Sequence, residues 1–467
     1  MSIFAPDQKY SKPMSEQRAP IADRKRDKPP VVTPSEDALA LTLASRFDGE
    51  LRYISPWGKW LKWTGEKWRI ENTLAVFDIA RKICRENYVG ASLRARVVAA
   101  VELMARSDRC FAATTEEFDS NPWLFNTPDC TIDLVTGERR AHQPLDYITK
   151  IAGTSPSYDG CPLFFRFLKT IFDGDSDLIG YLQTFFGYVL TGETREHAML
   201  FFYGTGSNGK SVLLSTIAGI LGDYHRVAPM ETFVASHYPR HSTDMAGLMG
   251  ARLVTATETE ENRYWAEAKI KALTGGDKIS AQFMRQDYFE YTPAFKLIVA
   301  GNHKPALHSV DEAMRRRLHV IPFNVTIPAP ERDPSLAERL KDEWPGILQW
   351  MLIGCATWQD DGLQPPQSVL DATAQYLATE DAVARWVAEW CELRSGFEDT
   401  FAKVFASWKA WALLMGEPAL SSRAFGEKLF GRFGVTRMEK GNAHVTFCCG
   451  IRVVEAEPAQ SDWVRED

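Results

Sequence analysis

One run in the chain has the residue types and spacing to hold a triphosphate: Gly204-Thr205-Gly206-Ser207-Asn208-Gly209-Lys210-Ser211, with Val212 opening the apolar stretch behind it. It satisfies G-x-x-x-x-G-K-[ST], in which glycines let successive N–H groups close around phosphate oxygens. Lys210 then reaches the β- and γ-phosphates, and the Ser211 hydroxyl ligates the metal. ATP and Mg²⁺ are the expected cofactors. A carboxylate at the end of a strand beside the one leading into this loop can hold the metal's water shell and polarise the attacking water. Glu258, after Leu253-Val-Thr-Ala-Thr257, is the first choice for that role and Glu260 the second, so Ser211 and Glu258 form the expected metal set. Asn302 ends a further apolar run and can orient the γ-phosphate or the lytic water. Arg315-Arg316-Arg317 stands just before another strand, where one guanidinium can act on a neighbouring subunit's ATP.

These residues need a scaffold of strands and helices. Ala198–Tyr203 reads as a buried strand and Val212–Leu221, closed by Gly222, as a helix, so the loop sits between strand and helix. The ATPase core is expected over 196–365. Before it, apolar residues at helical spacing between Cys161 and Thr191 predict two helices. Residues 161–195 are read as a collar that assembles subunits, with ordinary core as the competing use. Residues 35–160 read as a mixed α/β domain. It opens with a helix capped near Ser35, continues with hairpins over Trp57–Ile70 and their Thr64-Gly65 turn, and adds helices over Thr73–Tyr88 and Ser92–Arg106. Its tryptophans are assigned to packing. Residues 1–34 are polar and basic and are expected to be a disordered tail. Gln364-Pro-Pro366 marks a linker, and 366–467 read as a helix, a second helix and a short hairpin, a winged-helix-like order. Arg423, Lys428 and Arg432 on the second helix would face DNA phosphates or the major groove, with protein docking as the rival use.

Composition bounds the class. A chain of 467 residues with 45% hydrophobic and 25% charged residues is long enough for several cores, and no apolar run approaches the roughly 18 residues of a membrane span. The start lacks a secretory apolar segment, which makes a cytoplasmic address, in a bacterial or phage-infected cell, the expectation. Eight scattered cysteines without a C-x-x-C pair argue against a zinc site or a disulfide framework. A net charge of −7 leaves DNA binding undecided, since basic residues can be confined to one face.

The order of Gly204–Ser211, Thr257-Glu-Thr-Glu-Glu261, Leu273-Thr-Gly-Gly-Asp277-Lys-Ile-Ser-Ala281, Val299-Ala-Gly-Asn302-His-Lys-Pro305 and Asp311–Arg317 resembles the superfamily 3 helicases of phage and plasmid primase–helicases, related to the poxvirus primase–helicase. Upstream, Leu124-Phe-Asn126-Thr-Pro and Phe186-Gly187-Tyr-Val-Leu-Thr-Gly192 extend the likeness over most of Trp57–Phe323. The resemblance implies an α/β fold with a P-loop, AAA+-like core, an N-terminal α/β accessory domain and a C-terminal winged-helix-like domain. It implies a homo-hexameric ring that hydrolyses ATP between subunits and moves 3′→5′ on single-stranded DNA, replicating a phage, plasmid or satellite element. Lys271, Lys278, Phe283 and Arg285 would then belong to a pore-facing hairpin, and Arg316 is favoured over Arg317 as the finger. Unlike many relatives, the chain reaches the helicase-associated module within about its first 50 residues, so any primase or polymerase is expected on a separate chain. The alternative in another class is a non-translocating AAA+ ATPase that binds origin duplex or a partner and switches with nucleotide. Strand displacement separates the two.

Overall fold

In the computed structural model the described residues are 34–87, 93–235, 243–257, 263–282, 288–307, 311–379, 382–415, 417, 420–440 and 445–454. The chain divides into two compact units, residues 71–112 together with the segment before 49 forming one, and 49–70 with 113–467 the other. Among the described residues the first unit holds three helices, Glu36–Phe47, Ala75–Asn87 and Ala95–Ala105. Ser35 caps the first, its hydroxyl accepting from the Ala38 N–H at 3.1 Å. Leu39, Leu43, Val76, Ile83, Val98 and Val101 turn inward.

The second unit is built on a five-stranded, wholly parallel sheet. Its strands in chain order are β1 (Met199–Tyr203), β2 (His225–Val227), β3 (Leu253–Thr257), β4 (Lys296–Gly301) and β5 (Leu318–Pro322), and their lateral order is β5-β1-β4-β3-β2. β1 and β4 are apolar almost throughout because a central parallel strand is covered on both faces. The edges are handled differently. β2 is only three residues long, and on β5 the Val320 N–H, facing away from β1, donates to the Thr373 hydroxyl of helix Gln367–Thr379 at 2.9 Å.

One expectation is corrected by this order. The strand leading to Glu258 is not beside β1; β4 lies between them, with Thr257 registered on Ala300 and Gly301 on Tyr203. Every strand here is short and apolar, so sequence order carries no information on lateral order. The neighbour of the loop strand is instead the one that delivers Asn302.

Helices Pro162–Ile171 and Ser176–Val189, read as a collar or as core, are core within this chain. Phe164, Phe167, Leu168, Ile171 and Phe185 share one buried cluster with Leu213 and Ile217 of helix Lys210–Leu221 and with Ile347 and Met351 of helix Trp344–Asp361. The linker reading near 366 is also displaced. Helix Gln367–Thr379 buries Tyr376 and Leu377 among Phe201, Val299 and Val320, so the C-terminal module has its own core only from Val383 onward. That module comprises helices Ala382–Trp390, Phe401–Leu414 and Ser422–Arg432 and three antiparallel strands, Cys391–Thr400, Thr436–Lys440 and Val445–Val453, with the last in the middle. Its first strand escaped the sequence reading because Cys-Glu-Leu-Arg-Ser-Gly-Phe-Glu-Asp-Thr lacks apolar alternation and is mostly exposed.

Two buried cations tie the sheet to the segments before it. The Arg252 guanidinium donates to the carbonyls of Leu190 and Leu124, the latter at 2.6 Å, and stacks 4.6 Å over the Tyr224 ring. Lys296 donates to the Thr191 carbonyl and sits 4.4 Å over Tyr188. Arg252→Ala strands two buried carbonyls and removes the stacking, so it is expected to lower the unfolding free energy by about 3 kcal/mol. Urea denaturation measures this, with exposed Arg437→Ala, expected within about 0.5 kcal/mol of wild type, as the reference.

Candidate nucleotide site

β1 ends at Tyr203 and the chain turns at Gly204, where a side chain has no room: a Cβ would collide with the Phe323 carbonyl and lie 2.6 Å from the Asn208 amide nitrogen. Gly209 has φ +85° and faces Ile171, whose Cγ2 would stand 2.5 Å from a Cβ. Both glycines of the motif are thus required by backbone geometry and packing together. Between them the loop is stapled from outside. The Asn208 amide donates to the Thr205 and Phe323 carbonyls, and the Ser207 carbonyl accepts from the Ile327 N–H at 2.9 Å. Thr205, Gly206 and Ser207 remain exposed, as does Ser211 on the first turn of the following helix, while Val212 is half-buried.

Lys210 is the centre of the arrangement. Its ammonium donates to the Gly204 carbonyl at 2.6 Å, Asn208 Oδ1 at 3.2 Å and Asn302 Oδ1 at 3.1 Å. Burial pulls its pKa below the ordinary lysine value. All three acceptors are neutral, so among the described residues no carboxylate compensates the charge. A desolvated cation beside unspent helix N-terminal N–H groups is a site for an anion. Asn302, one residue past β4 and exposed, is brought to this point because β4 is registered directly against β1. Glu258 and Glu260 follow the end of β3 and lie outside the described residues. Among the described residues no group of three or more His, Cys, Asp or Glu side chains could hold a metal.

The arginines stand on a six-residue helix, Glu312–Arg317, that is fastened at both ends. Asp311 caps it, accepting from the Met314 N–H at 2.8 Å, and pairs with Lys271. Burial pushes the Asp311 carboxyl up, but the bonds from Lys271 and Met314 outweigh it and hold the pKa below the usual value. Arg317 donates to the Thr274 hydroxyl at 3.2 Å and the Ala313 carbonyl at 2.9 Å. Arg315 lies 3.9 Å from Glu312. Arg316 is exposed between them.

Of the residues assigned to a DNA-facing hairpin, Lys271 is engaged with Asp311, whereas Lys278 is exposed at the foot of an antiparallel pair, Ile279–Gln282 with Tyr288–Tyr291. Phe283 and Arg285 lie outside the described residues. In the C-terminal module Arg423 is exposed and 3.0 Å from Glu427. Lys428 is half-buried; burial pulls its pKa down against the opposing charge of Glu267. The Arg432 side chain and the tail before residue 34 lie outside the description. Two site features escaped the sequence reading. Lys304 sits 4.2 Å over the Tyr203 ring at the end of β1, and His319 on β5 bonds the Tyr181 hydroxyl at 2.5 Å. The only linear signal for the second was an imidazole in an otherwise apolar strand.

Two family profiles match the chain: "D5 N terminal like" over residues 40–173 and "Family of unknown function (DUF5906)" over residues 202–317. The second covers the loop, β3, β4 and the arginine helix. In sequence the chain is 27% identical over 245 residues (48% of this chain, 25% of the relative) to "Putative helicase L207/L206" of Acanthamoeba polyphaga mimivirus. It is 27% identical over 219 residues (42% and 22%) to "Putative helicase 022R" of Frog virus 3. A third relative, "Putative helicase 121R" of Invertebrate iridescent virus 3, is 24% identical over 368 residues (69% and 38%). The chain spans between 22% and 38% of these relatives' own lengths. In structure it resembles the apo C-terminal region of NrS-1 at a TM-score of 0.52 and 10% identity, covering 90% of this chain and 99% of that one, and a second apo form at 0.51 and 9%. Those structural likenesses speak to the fold alone. The chain thus carries a D5 N-terminal-like region followed by a DUF5906 region and is similar in sequence to viral proteins named putative helicases.

Proposed function

We propose that the chain is an ATP-dependent DNA helicase that binds ATP and Mg²⁺ at Gly204–Ser211 and moves 3′→5′ on single-stranded DNA as a homo-hexameric ring. It would serve replication of a phage, plasmid or satellite element. The observation that carries this reading is the Lys210 ammonium, uncompensated by any described carboxylate and 3.1 Å from Asn302 of the adjoining strand. The two side chains meet where a γ-phosphate would separate a phosphate-binding loop from a sensor.

The residues present suit the nucleotide. Exposed backbone from Thr205 to Ser207 and the first turn of the helix offer N–H donors to phosphate oxygens, and Lys210 exchanges neutral acceptors for charged ones. The Ser211 hydroxyl would hold the metal with Glu258 through its water shell. Mg²⁺ held there would supply positive charge to offset that of the phosphates. Glu258, or Glu260, would orient and deprotonate the attacking water, Asn302 would fix it against the γ-phosphate, and Arg316 from a neighbouring subunit would stabilise the charge that develops in the transition state. We read the sheet as an AAA+-like core and the C-terminal module as winged-helix-like. Lys278, with Phe283 and Arg285, would then track the strand.

Unwinding tests the reading directly. A partial duplex with a 3′ single-stranded arm is expected to separate with ATP and Mg²⁺, and one with only a 5′ arm is not. Unwinding only from the 5′ arm would overturn the polarity, and ATP hydrolysis with no unwinding of either substrate would favour a nucleotide switch. For the C-terminal module, exposed Arg423 is expected to neutralise one phosphate. Arg423→Ala in the full chain should therefore flatten the log–log salt dependence of duplex binding by about 0.9. A slope equal to wild type assigns that helix to protein docking.

A further inference from the structure

The chain leaving Asn302 is stiffened by a proline. Gly301 ends β4 in register with Tyr203, and Pro305 has its φ fixed by its own ring and keeps Lys304 before it out of helical backbone. The Lys304 ammonium stands 4.2 Å from the centre of the Tyr203 ring and 5.5 Å from that of Tyr376. The Pro305 carbonyl accepts a hydrogen bond from the Tyr376 hydroxyl, and that hydroxyl accepts in turn from Trp265 Nε1 at 2.8 Å. A hydroxyl has one proton to give and an indole N–H can only donate, so the direction of both bonds is settled, from indole to hydroxyl to carbonyl. Trp265 and Tyr376 are both fully buried.

The same point is fastened through the backbone. The Ala306 carbonyl accepts from the Trp265 N–H at 2.9 Å, and the Ala306 N–H donates to the Arg263 carbonyl at 2.7 Å. Arg263 comes three positions after Glu260 in the chain, so the segment that follows the candidate acids and the segment that follows Asn302 are joined here. Tyr376 itself rests on a firm base. It lies on helix Gln367–Thr379 one turn after Thr373, whose hydroxyl accepts from the Val320 N–H of β5 at 2.9 Å, and its ring lies 6.3 Å from that of Phe201 on β1. We infer that Tyr376 is a positioning residue for Asn302. Its hydroxyl clamps the Pro305 carbonyl, and through three residues of stiffened backbone it sets the place where the Asn302 amide meets Lys210. Helix Gln367–Thr379 thereby fixes a side chain of the nucleotide site without reaching the nucleotide. This inference rests on the reading of Asn302 as the residue that orients the attacking water.

Tyr376→Phe removes one oxygen atom, keeps the aromatic packing and leaves the Pro305 carbonyl and the Trp265 indole N–H without their shared partner. In the full chain it is expected to keep nucleotide affinity at the wild-type value and to lower ATP turnover by about tenfold, the rate equivalent of one hydrogen bond to a buried group. A loss of packing alone could also slow the enzyme, so the deciding measurement is a double-mutant cycle with Asn302→Ala. A loss that runs through Asn302 disappears once that side chain is gone, and Tyr376→Phe should then change the turnover of Asn302→Ala by less than about twofold. The fall in melting temperature, which reports packing, should be the same in both backgrounds. Wild-type turnover in folded Tyr376→Phe overturns the proposal, and so does a loss that persists in full when Asn302 is already alanine. If Asn302→Ala by itself hydrolyses ATP at the wild-type rate, the reading of Asn302 is wrong and the clamp falls with it. Should Tyr376→Phe not fold, Trp265→Phe removes the other bond to the hydroxyl, and the same cycle with Asn302→Ala decides by the same outcomes.

Discussion

Lys210→Ala is expected to reduce nucleotide hydrolysis by at least about 10²-fold, because no other described cation reaches the oxygens that this ammonium holds. Its three acceptors come from the loop's first residue, from Asn208 and from Asn302, so on the proposed reading the substitution removes both the charge that would meet the β- and γ-phosphates and the bridge between the loop and Asn302. Asn302→Ala should be milder, since it leaves the cation in place. Phosphate release by the purified variants, with melting temperatures to confirm folding, measures both effects. Wild-type turnover in folded Lys210→Ala would remove the nucleotide from this loop.

Arg316→Ala is expected to keep nucleotide affinity and to lose turnover by about 10³- to 10⁵-fold, since a finger stabilises charge present in the transition state more than in the ground state. The surroundings of the three arginines separate their roles. Arg317 is committed to Thr274 and the Ala313 carbonyl, whereas Arg315 and Arg316 are both exposed, Arg315 within 3.9 Å of Glu312. Arg317→Ala should accordingly lower stability as well as activity, because it frees the end of the helix. Arg316→Ala subunits retain their own loop and Lys210→Ala subunits retain their finger, so a mixture contains some complete interfaces. Partial recovery of ATPase activity on mixing is the expected result. Mixtures that stay inactive with proven exchange would place the arginine in cis or move the role to Arg317, and the same mixture made with Arg317→Ala separates those outcomes.

Much of this was legible from residues alone, and for a local reason. A phosphate-binding loop is eight consecutive residues whose glycines answer to backbone geometry, and the strand before it and helix after it announce themselves by periodicity. The Ser35 cap, the helices near 75–87 and 95–105 and the hairpin around Thr64-Gly65 are likewise short-range features. So is the order of motifs that resembles the superfamily 3 primase–helicases.

What the tertiary structure decided is long-range. Five apolar parallel strands permit many lateral orders, and only packing put β4 between β1 and β3, bringing Asn302 rather than the acid strand next to the loop. The Lys210–Asn302 contact spans 92 positions and the Tyr181–His319 contact 138. Neither leaves a periodic trace, because a hydrogen bond between distant elements constrains only two residues. Charge was equally ambiguous in one dimension. Lys271 reads as a strand-tracking cation until the fold sets it against Asp311, and Arg315, Arg316 and Arg317 are identical residues until Thr274 engages Arg317 and leaves the other two exposed, Arg315 beside Glu312. The sequence determines which groups are available for chemistry; the three-dimensional neighbours determine which of them remain free to perform it.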